Sequence, residues 1–256
     1  MESGMRNQTE RGLVWGICDS AFDAKKCLNK AWLQQRIEAS LLIAHEPIIS
    51  LDNSKRVLYL VRTVGVAADL GVPLSTALGA SMDMVRWFDR LLMQGTIETL
   101  RVDPQATLGC GVSGASAVDD IWWDPVFHLL EREPGVAQRL VVEFAEAAPL
   151  DVKASREFVW RLKWCGCRVA IKEFGIRYGV QSAMAVGEPD FIKLDRSLVC
   201  SARQSEHGKR RLSNMVRLAS EQASTVIVET MDAQPDVGLA LEVGVNWAQF
   251  RSLQEA

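Results

Sequence analysis

Residues 166–175 read GCRVAIKEFG and residues 190–199 read DFIKLDRSLV, and these two stretches decide the fold. Each contains a short apolar run rich in β-branched or aromatic residues, which predicts strands over Arg168–Phe174 and Phe191–Leu194. Each run also ends in charged side chains. The two stretches are therefore predicted to be both core strands and candidates for a functional site.

Six more runs of this kind lie along the chain, which makes eight predicted strands. The six are Leu42–Ser50, Val57–Thr63, Thr107–Ser113, Leu140–Glu143, Thr225–Glu229 and Asn246–Gln249. Amphipathic helical patterns lie between most of them, for example over Ser81–Leu100 and Asp151–Trp164. Near-continuous apolar segments such as Leu140–Val142 are typical of a parallel sheet covered on both faces. The alternation predicts an α/β fold, an irregular eight-stranded (β/α) barrel of the TIM type.

The two ends of this barrel are predicted to be irregular. The first two runs lie too close together for a helix between them, so we expect a hairpin around Asp52 and Asn53. Only seven residues follow Gln249, which is too few for a closing helix, whereas Ser20–Ala39 has helical apolar spacing. We therefore expect residues 1–32 to form a helical extension that packs on a barrel of residues 33–256. The alternative is that the gap is a dimer or partner surface.

The composition of the 256-residue chain excludes several classes of protein. A hydrophobic fraction of 48% with 24% charged residues is not that of a disordered or fibrous chain. A net charge of −3 offers no long-range attraction for nucleic acid or for an anionic membrane. The polar start and the lack of a long apolar run predict neither a secretory signal nor a membrane span. The sequence predicts a cytoplasmic protein with no nucleic-acid or membrane partner.

Cysteines and histidines show no spacing that indicates a metal site. The six cysteines are Cys18, Cys27, Cys110, Cys165, Cys167 and Cys200. We expect reduced, mostly buried thiols, and no cofactor or metal is predicted. The helical pair Trp160 and Trp164 is expected in the core, and the basic run Lys209–Arg211 is expected to be a solvated helix face.

Charged and polar residues at the carboxyl ends of the predicted strands are the candidates for a functional site, because these ends surround the mouth of such a barrel. They are Arg62, Glu143, Lys172, Glu173, Lys193, Asp195, Glu229 and Gln249. Any one of them alone would be read as a solvated strand end. Six strands with the same feature together indicate a site.

These residues resemble the EAL-domain family, the barrel phosphodiesterases that open the bacterial second messenger cyclic di-GMP. The two opening stretches are similar to the family's G-x-x-x-A-x-D-D-F-G and D-x-I-K-I-D-R-S-F-V motifs. Three further segments, His45–Ile48, Glu143–Glu146 and Val228–Asp232, are similar to its Y-Q-P-I, E-x-T-E and A-E-G-V-E motifs. The resemblance covers residues 33–250 and implies an EAL-type barrel.

The departures from the family motifs predict the loss of its metal site. The alignment puts Leu58, Gly111 and Lys172 at positions where the family has metal ligands. Leucine and glycine donate no side-chain oxygen, and lysine brings a positive charge. The resemblance thus leaves a vestigial site of Glu143, Lys172, Glu173, Lys193, Glu229 and Gln249. We expect Lys172, with Lys193, to supply positive charge among the glutamates through ion pairs.

Three other residues are predicted to bind a ligand if the mouth retains one. Arg62 would grip a phosphate through its planar guanidinium group. Glu46 replaces the glutamine of Q-P-I and would accept hydrogen bonds from a guanine edge. Asp195 is the third candidate.

The function predicted from this pattern is that of a catalytically inactive EAL-like regulatory domain of cyclic di-GMP-related signalling. It would act by binding a protein partner, and non-hydrolytic binding of cyclic di-GMP in the mouth is left open. The enzyme alternative is a metal-dependent phosphodiesterase with a rearranged site that uses Glu143, Glu146, Glu173 and Glu229.

Overall fold

The computed structural model describes residues 30–52, 54–67, 73–79, 81–146, 152–231 and 234–250. The strands are β1 (Leu41–Ser50), β2 (Val57–Val66), β3 (Leu108–Val112), β4 (Leu140–Ala145), β5 (Arg168–Phe174), β6 (Phe191–Leu194), β7 (Thr225–Met231) and β8 (Trp247–Phe250). The helices are α1 (Lys30–Ser40), α2 (Leu74–Leu78), α3 (Met82–Val102), α4 (Asp124–Arg132), α5 (Pro134–Ala137), α6 (Val152–Trp164), α7 (Val180–Val186), α8 (Arg196–Gln204), α9 (Glu206–Ser220) and α10 (Gln234–Glu242).

The eight strands close into a barrel in sequence order, β1 to β8. Strand β1 is antiparallel to both of its neighbours, β2 and β8, whereas every other neighbouring pair is parallel. This confirms the predicted irregular (β/α) barrel and its opening hairpin. The hairpin turn is stabilised by Asp52, whose carboxylate accepts a hydrogen bond from the Ser54 amide at 2.8 Å.

The barrel has an inner and an outer apolar layer because side chains on a strand alternate between its two faces. The inner layer consists of Ile48, Tyr59, Val61, Val141, Ala170, Phe191 and Ile227. The outer layer joins the strands to the helices. In α6, for example, Phe158 packs against Phe127 and Phe144 with ring centroids 5.4 and 6.2 Å apart.

Local sequence signals account for the positions of the helices. Helix α3 begins after Ser81, whose hydroxyl accepts from the Met84 amide, and its buried face includes Phe88 and Leu92. Helix α8 begins after Asp195, whose carboxylate accepts from the Ser197 amide at 2.7 Å. The helices predicted over Ser81–Leu100 and Asp151–Trp164 are confirmed within one or two residues.

One prediction about α6 is wrong. Trp160 and Trp164 stack on each other with centroids 5.5 Å apart, but they are 63% and 73% exposed rather than in the core. The helix buries Phe158, Val159 and Leu162 instead, so the tryptophans lie on its outer side.

The predicted N-terminal extension of residues 1–32 falls mostly outside the described residues, as do residues 251–256. Its packing on the barrel, and the division at residue 32, stay predictions. Within the described residues, no helix is both long and apolar enough to cross a membrane.

Candidate functional site at the barrel mouth

A buried lysine joins two glutamates between β4, β6 and β7. The Lys193 ammonium lies 3.1 and 3.2 Å from the two carboxylate oxygens of Glu143 and 3.5 Å from Oε1 of Glu229. The Tyr59 hydroxyl donates to Glu143 Oε1 at 2.9 Å. The side chains of Lys193 and Glu143 are each 1% exposed, so this is an ion pair in a nearly dry interior. Both oxygens of Glu143 are therefore engaged by protein donors.

The charges of this cluster are coupled. Desolvation alone would lower the pKa of Lys193, but the neighbouring Glu143 and Glu229 outweigh it, and the pKa is raised. Burial raises the pKa of Glu229 to about 7, although Lys193 acts in the opposite direction. Burial, together with Glu143, raises the pKa of Tyr59 well above its ordinary value. The lysine thus stays charged at neutral pH and Tyr59 stays a hydrogen-bond donor.

Lys172 lies at the mouth without a carboxylate in contact. Its ammonium is 3.7 Å from the position that a Cβ atom on Gly111 would occupy. Among the described residues it forms no ion pair within 4.0 Å, so the predicted pairing is made by Lys193 and not by Lys172. On α3, the Asp89 carboxylate accepts hydrogen bonds from the amide and hydroxyl of Ser113, and burial raises the pKa of Asp89.

Two glutamates of the predicted alternative enzyme site have other contacts. The Glu146 carboxylate accepts hydrogen bonds from the backbone amides of Gly175, Arg177 and Tyr178. It therefore anchors the loop that follows β5. Glu173 has a left-handed backbone with φ of 60°, and its amide donates to Glu229 Oε1 at 3.4 Å.

Sequence reasoning considered Glu146 only as a possible metal ligand and missed its role as the anchor of this loop. The available signal was a glutamate directly after one strand, beside a neighbouring strand that is followed by Gly175. A turn containing glycine exposes backbone amides that need acceptors.

Glu46 and Gln249 meet inside the mouth. Strands β1 and β8 pair with Ile48 opposite Gln249, and the Gln249 side-chain amide donates to Glu46 Oε2. The Gln249 carbonyl oxygen is buried and has no partner within the described structure. The pairing of the two strands thus brings these two predicted site residues into contact.

The structure places Arg62 away from this cluster. Tyr59 and Val61 face the barrel interior, so Arg62 lies on the outer side of β2 against α3. Its guanidinium is 3.4 and 3.5 Å from the hydroxyls of Thr99 and Thr96. The guanidinium also packs closely on Gly95 of α3: a Cβ atom added to Gly95 would lie 3.0 Å from it. The motif alignment implied a mouth position for Arg62.

Leu58 and Asp195 also have contacts in the structure that the motif comparison does not predict. Leu58 packs partly buried against the inner apolar layer, and the neighbouring Tyr59 is the residue that reaches Glu143. Asp195 is the cap of α8. Its Oδ1 atom is committed to that helix.

The donor set does not fit a divalent cation of the kind that the resemblance implies. Mg²⁺ and Mn²⁺ require several oxygen ligands with free lone pairs. Glu143 is bonded to Lys193, Glu146 is bonded to loop amides, and Gly111 offers no side chain. Within the described part of the chain, no group of three or more His, Cys, Asp or Glu residues is arranged to hold a metal.

The family model for the EAL domain matches residues 30–249. Cyclic di-GMP phosphodiesterase PdeF of Escherichia coli K12 is 21% identical over 250 residues, which is 95% of this chain and 33% of that protein. Cyclic di-GMP phosphodiesterase PdeL of the same organism is 27% identical over 190 residues, 72% of this chain and 51% of that protein. The chain thus spans between a third and about half of the length of these relatives.

Solved structures with the same fold have low sequence identity. The S helix-GGDEF-EAL portion of Vibrio cholerae LapD, bound to c-di-GMP, superposes with a TM-score of 0.73 at 17% identity, covering 89% of this chain and 56% of that one. The Xanthomonas citri FimX EAL domain in complex with c-diGMP gives 0.71 at 15%, covering 89% and 92%. Matched over nearly all of its described length and folded as an EAL-type barrel, this chain belongs to the EAL domain family.

Proposed function

We propose that this EAL domain acts by binding rather than by hydrolysis, as a regulatory domain in cyclic di-GMP signalling. The observation that carries the proposal is at Gly111, which offers no side-chain oxygen and has the Lys172 ammonium 3.7 Å from the position that a Cβ atom on it would occupy. A two-metal hydrolase uses oxygen ligands to hold the ions that activate water and neutralise the transition state. Here one ligand position has no side-chain oxygen, another carries a positive charge, and Glu143 is bonded through both oxygens to Lys193, a lysine that the family motif also contains.

Electrostatics supports the same conclusion. A divalent ion placed at ~4 Å from an ammonium group would meet a repulsion of about 8 kcal/mol at an effective dielectric constant of ~20. Lys172 adds a second positive charge next to Gly111. Metal binding by Glu143 would require the Lys193 ammonium to give up its contacts with both carboxylate oxygens.

The test is an assay of hydrolysis. Purified protein is incubated with cyclic di-GMP and Mn²⁺ or Mg²⁺, and the products are separated by chromatography. We expect no linear dinucleotide. Product that forms in proportion to protein, and that Glu143→Ala abolishes, would contradict the proposal and favour the rearranged enzyme site.

We infer that the partner is a protein. Aromatic side chains such as Trp160 and Trp164 are exposed on an outer helix. The mouth, in contrast, is closed partly by bonds between Glu46 and Gln249 and between Lys193 and Glu143. A ligand that enters the mouth would have to compete with these bonds. A partner on the outer helices would not.

Non-hydrolytic binding of cyclic di-GMP is the second candidate, and Lys172 favours it. Its ammonium has no ion pair among the described residues and lies at the mouth, where a phosphodiester would find a counter-charge. The LapD and FimX structures named above contain this nucleotide. Calorimetric titration in EDTA tests the candidate. Binding that Lys172→Met weakens would support it, and the absence of heat would leave protein binding as the sole mode.

A further inference from the structure

An open groove of about 520 Å³ lies along one face of α9. Its lining residues are His207, Arg210, Arg211, Asn214 and Met215. Their spacing of three, four, seven and eight positions places them on the same side of the helix. Its lining includes no residue of the Lys193 cluster.

The cations of this groove have no anionic partners within the described structure. Lys209, on another face of α9, pairs with Glu206 and Glu242 at 3.5 and 3.8 Å. Arg210 and Arg211 are exposed and form no such pair among the described residues. This face is positively charged, although the whole chain carries a net charge of −3. These two arginines are therefore free of carboxylates of the described residues and can pair with those of a partner.

The groove also has an apolar part. Met215 is half-buried, and its Cε atom stands 3.0 Å from the position of a Cβ atom on Gly175. Ile176 and Tyr178 follow directly in the loop after β5, and both are exposed. Met215 therefore adds an apolar contact to the cationic lining of the groove and lies beside the loop at Gly175.

We propose that the α9 groove binds an acidic, amphipathic segment of a partner protein. Carboxylates of the segment pair with Arg210 and Arg211, and its apolar side chains contact Met215 and the adjacent loop. A nucleic acid would need a longer cationic track and would make little use of the apolar part. The inference rests on the proposed binding function and names the chemistry of the partner.

The position of the groove also connects it to the mouth. The amides of Gly175, Arg177 and Tyr178 are the ones that Glu146 holds, and this loop follows β5, which carries Lys172 and Glu173. A segment that contacts Met215 therefore touches the loop that borders the mouth. Partner binding is expected to change the exchange of these three amides as well as those of α9.

The experiment measures fluorescence anisotropy of a labelled synthetic peptide of about 18 residues, with leucines at helical spacing and glutamates elsewhere. A second peptide has glutamine in place of every glutamate, and a single-stranded DNA oligonucleotide is the third probe. The variant Arg210→Glu/Arg211→Glu is expected to bind the acidic peptide about tenfold more weakly than the unaltered chain. Hydrogen exchange with the acidic peptide reports on Gly175, Arg177 and Tyr178.

The matched control is Arg132→Glu/Lys153→Glu, which makes the same change in net charge on α4 and α6. We expect it to bind like the unaltered chain, and circular dichroism checks that both variants fold. Equal weakening by both variants, equal binding of the glutamine peptide, or displacement of the acidic peptide by DNA would overturn the proposal. If the groove does not bind the peptide, the result of the hydrolysis assay still stands, so the two proposals are tested separately.

Discussion

Lys193 is the residue on which the interior charge balance depends. A buried ion pair adds little net stability, but removal of one partner leaves an uncompensated charge. We expect Lys193→Met to lower the free energy of unfolding by about 3–5 kcal/mol, measured by urea denaturation. Lys193→Met/Glu143→Gln should recover much of this loss. Lys153→Met, on the exposed side of α6, is the control and should have no comparable effect.

Glu229 makes stability depend on pH in a predictable direction. Its pKa in the folded protein is about 7, which is raised from 4.5 by burial. The folded state therefore binds a proton more tightly than the unfolded state, and this contribution is complete below pH 4.5 and is lost as pH rises through 7. Other groups titrate in this range, so the measured quantity is the difference between the chain and Glu229→Gln. The thermal midpoint should fall more steeply between pH 5 and 8 in the unaltered chain, and parallel curves would refute this account.

Individual site residues were only partly predictable. Glu143, Lys193 and Glu229 lie at strand ends that the apolar runs identify, and the structure brings them together. Arg62 was misplaced because a shift of one residue turns a strand side chain to the opposite face. The pairing of β1 with β2 contains such a shift between Ile48 and Ile49, and no local sequence signal reveals it.

At the scale of single elements, the loop after β5 depends on Glu146. Its carboxylate accepts from three backbone amides, and hydrogen bonds to a charged group contribute about 1.5–3 kcal/mol. We expect Glu146→Ala to speed hydrogen exchange at Gly175, Arg177 and Tyr178 more than tenfold while exchange in β4 changes little. Glu157→Ala on exposed α6 is the control. Unchanged exchange in the loop would show that other contacts hold it.

The exposed side of α6 is expected to contribute less to stability than the core that packs against its buried side. We expect Trp160→Ser/Trp164→Ser to change the free energy of unfolding by less than about 1 kcal/mol, because both rings are solvated. Trp123→Ala should cost about 3–5 kcal/mol, since that ring is buried against Phe158 and its Nε1 donates to the Ser116 carbonyl. Urea denaturation compares them. A large loss from the double variant would mean that the pair is covered in solution.

The error about this tryptophan pair has a simple physical origin. Helix α6 has apolar residues on two faces, Phe158 and Leu162 on one and Trp160 and Trp164 on the other. Helical periodicity identifies a face but does not say which of two faces meets the barrel. Which face becomes part of the core depends on how the helix packs on the strands beneath it. The periodicity of the helix sequence contains no information about that packing.

At the scale of the whole molecule, the fold was largely predictable. All eight strands follow from short apolar runs and their separation, and the closeness of the first two predicted the antiparallel start. The predicted extension over residues 1–32 falls mostly outside the described residues and stays a prediction. Local patterns can indicate a helix there but carry no information about what it packs against.

The antiparallel seam between β1 and β8 has a consequence for the order of folding. Glu46 and Gln249 are 203 positions apart, and the seam spans only Ile48–Ser50 opposite Trp247–Gln249. The β1–β2 hairpin is local and can form early, whereas the seam needs almost the entire chain, which makes its loop-closure entropy large. During synthesis β1 keeps an open edge until β8 emerges, and in pulsed hydrogen exchange its seam amides should gain protection last. Protection of the seam before β4–β6 would reverse this order.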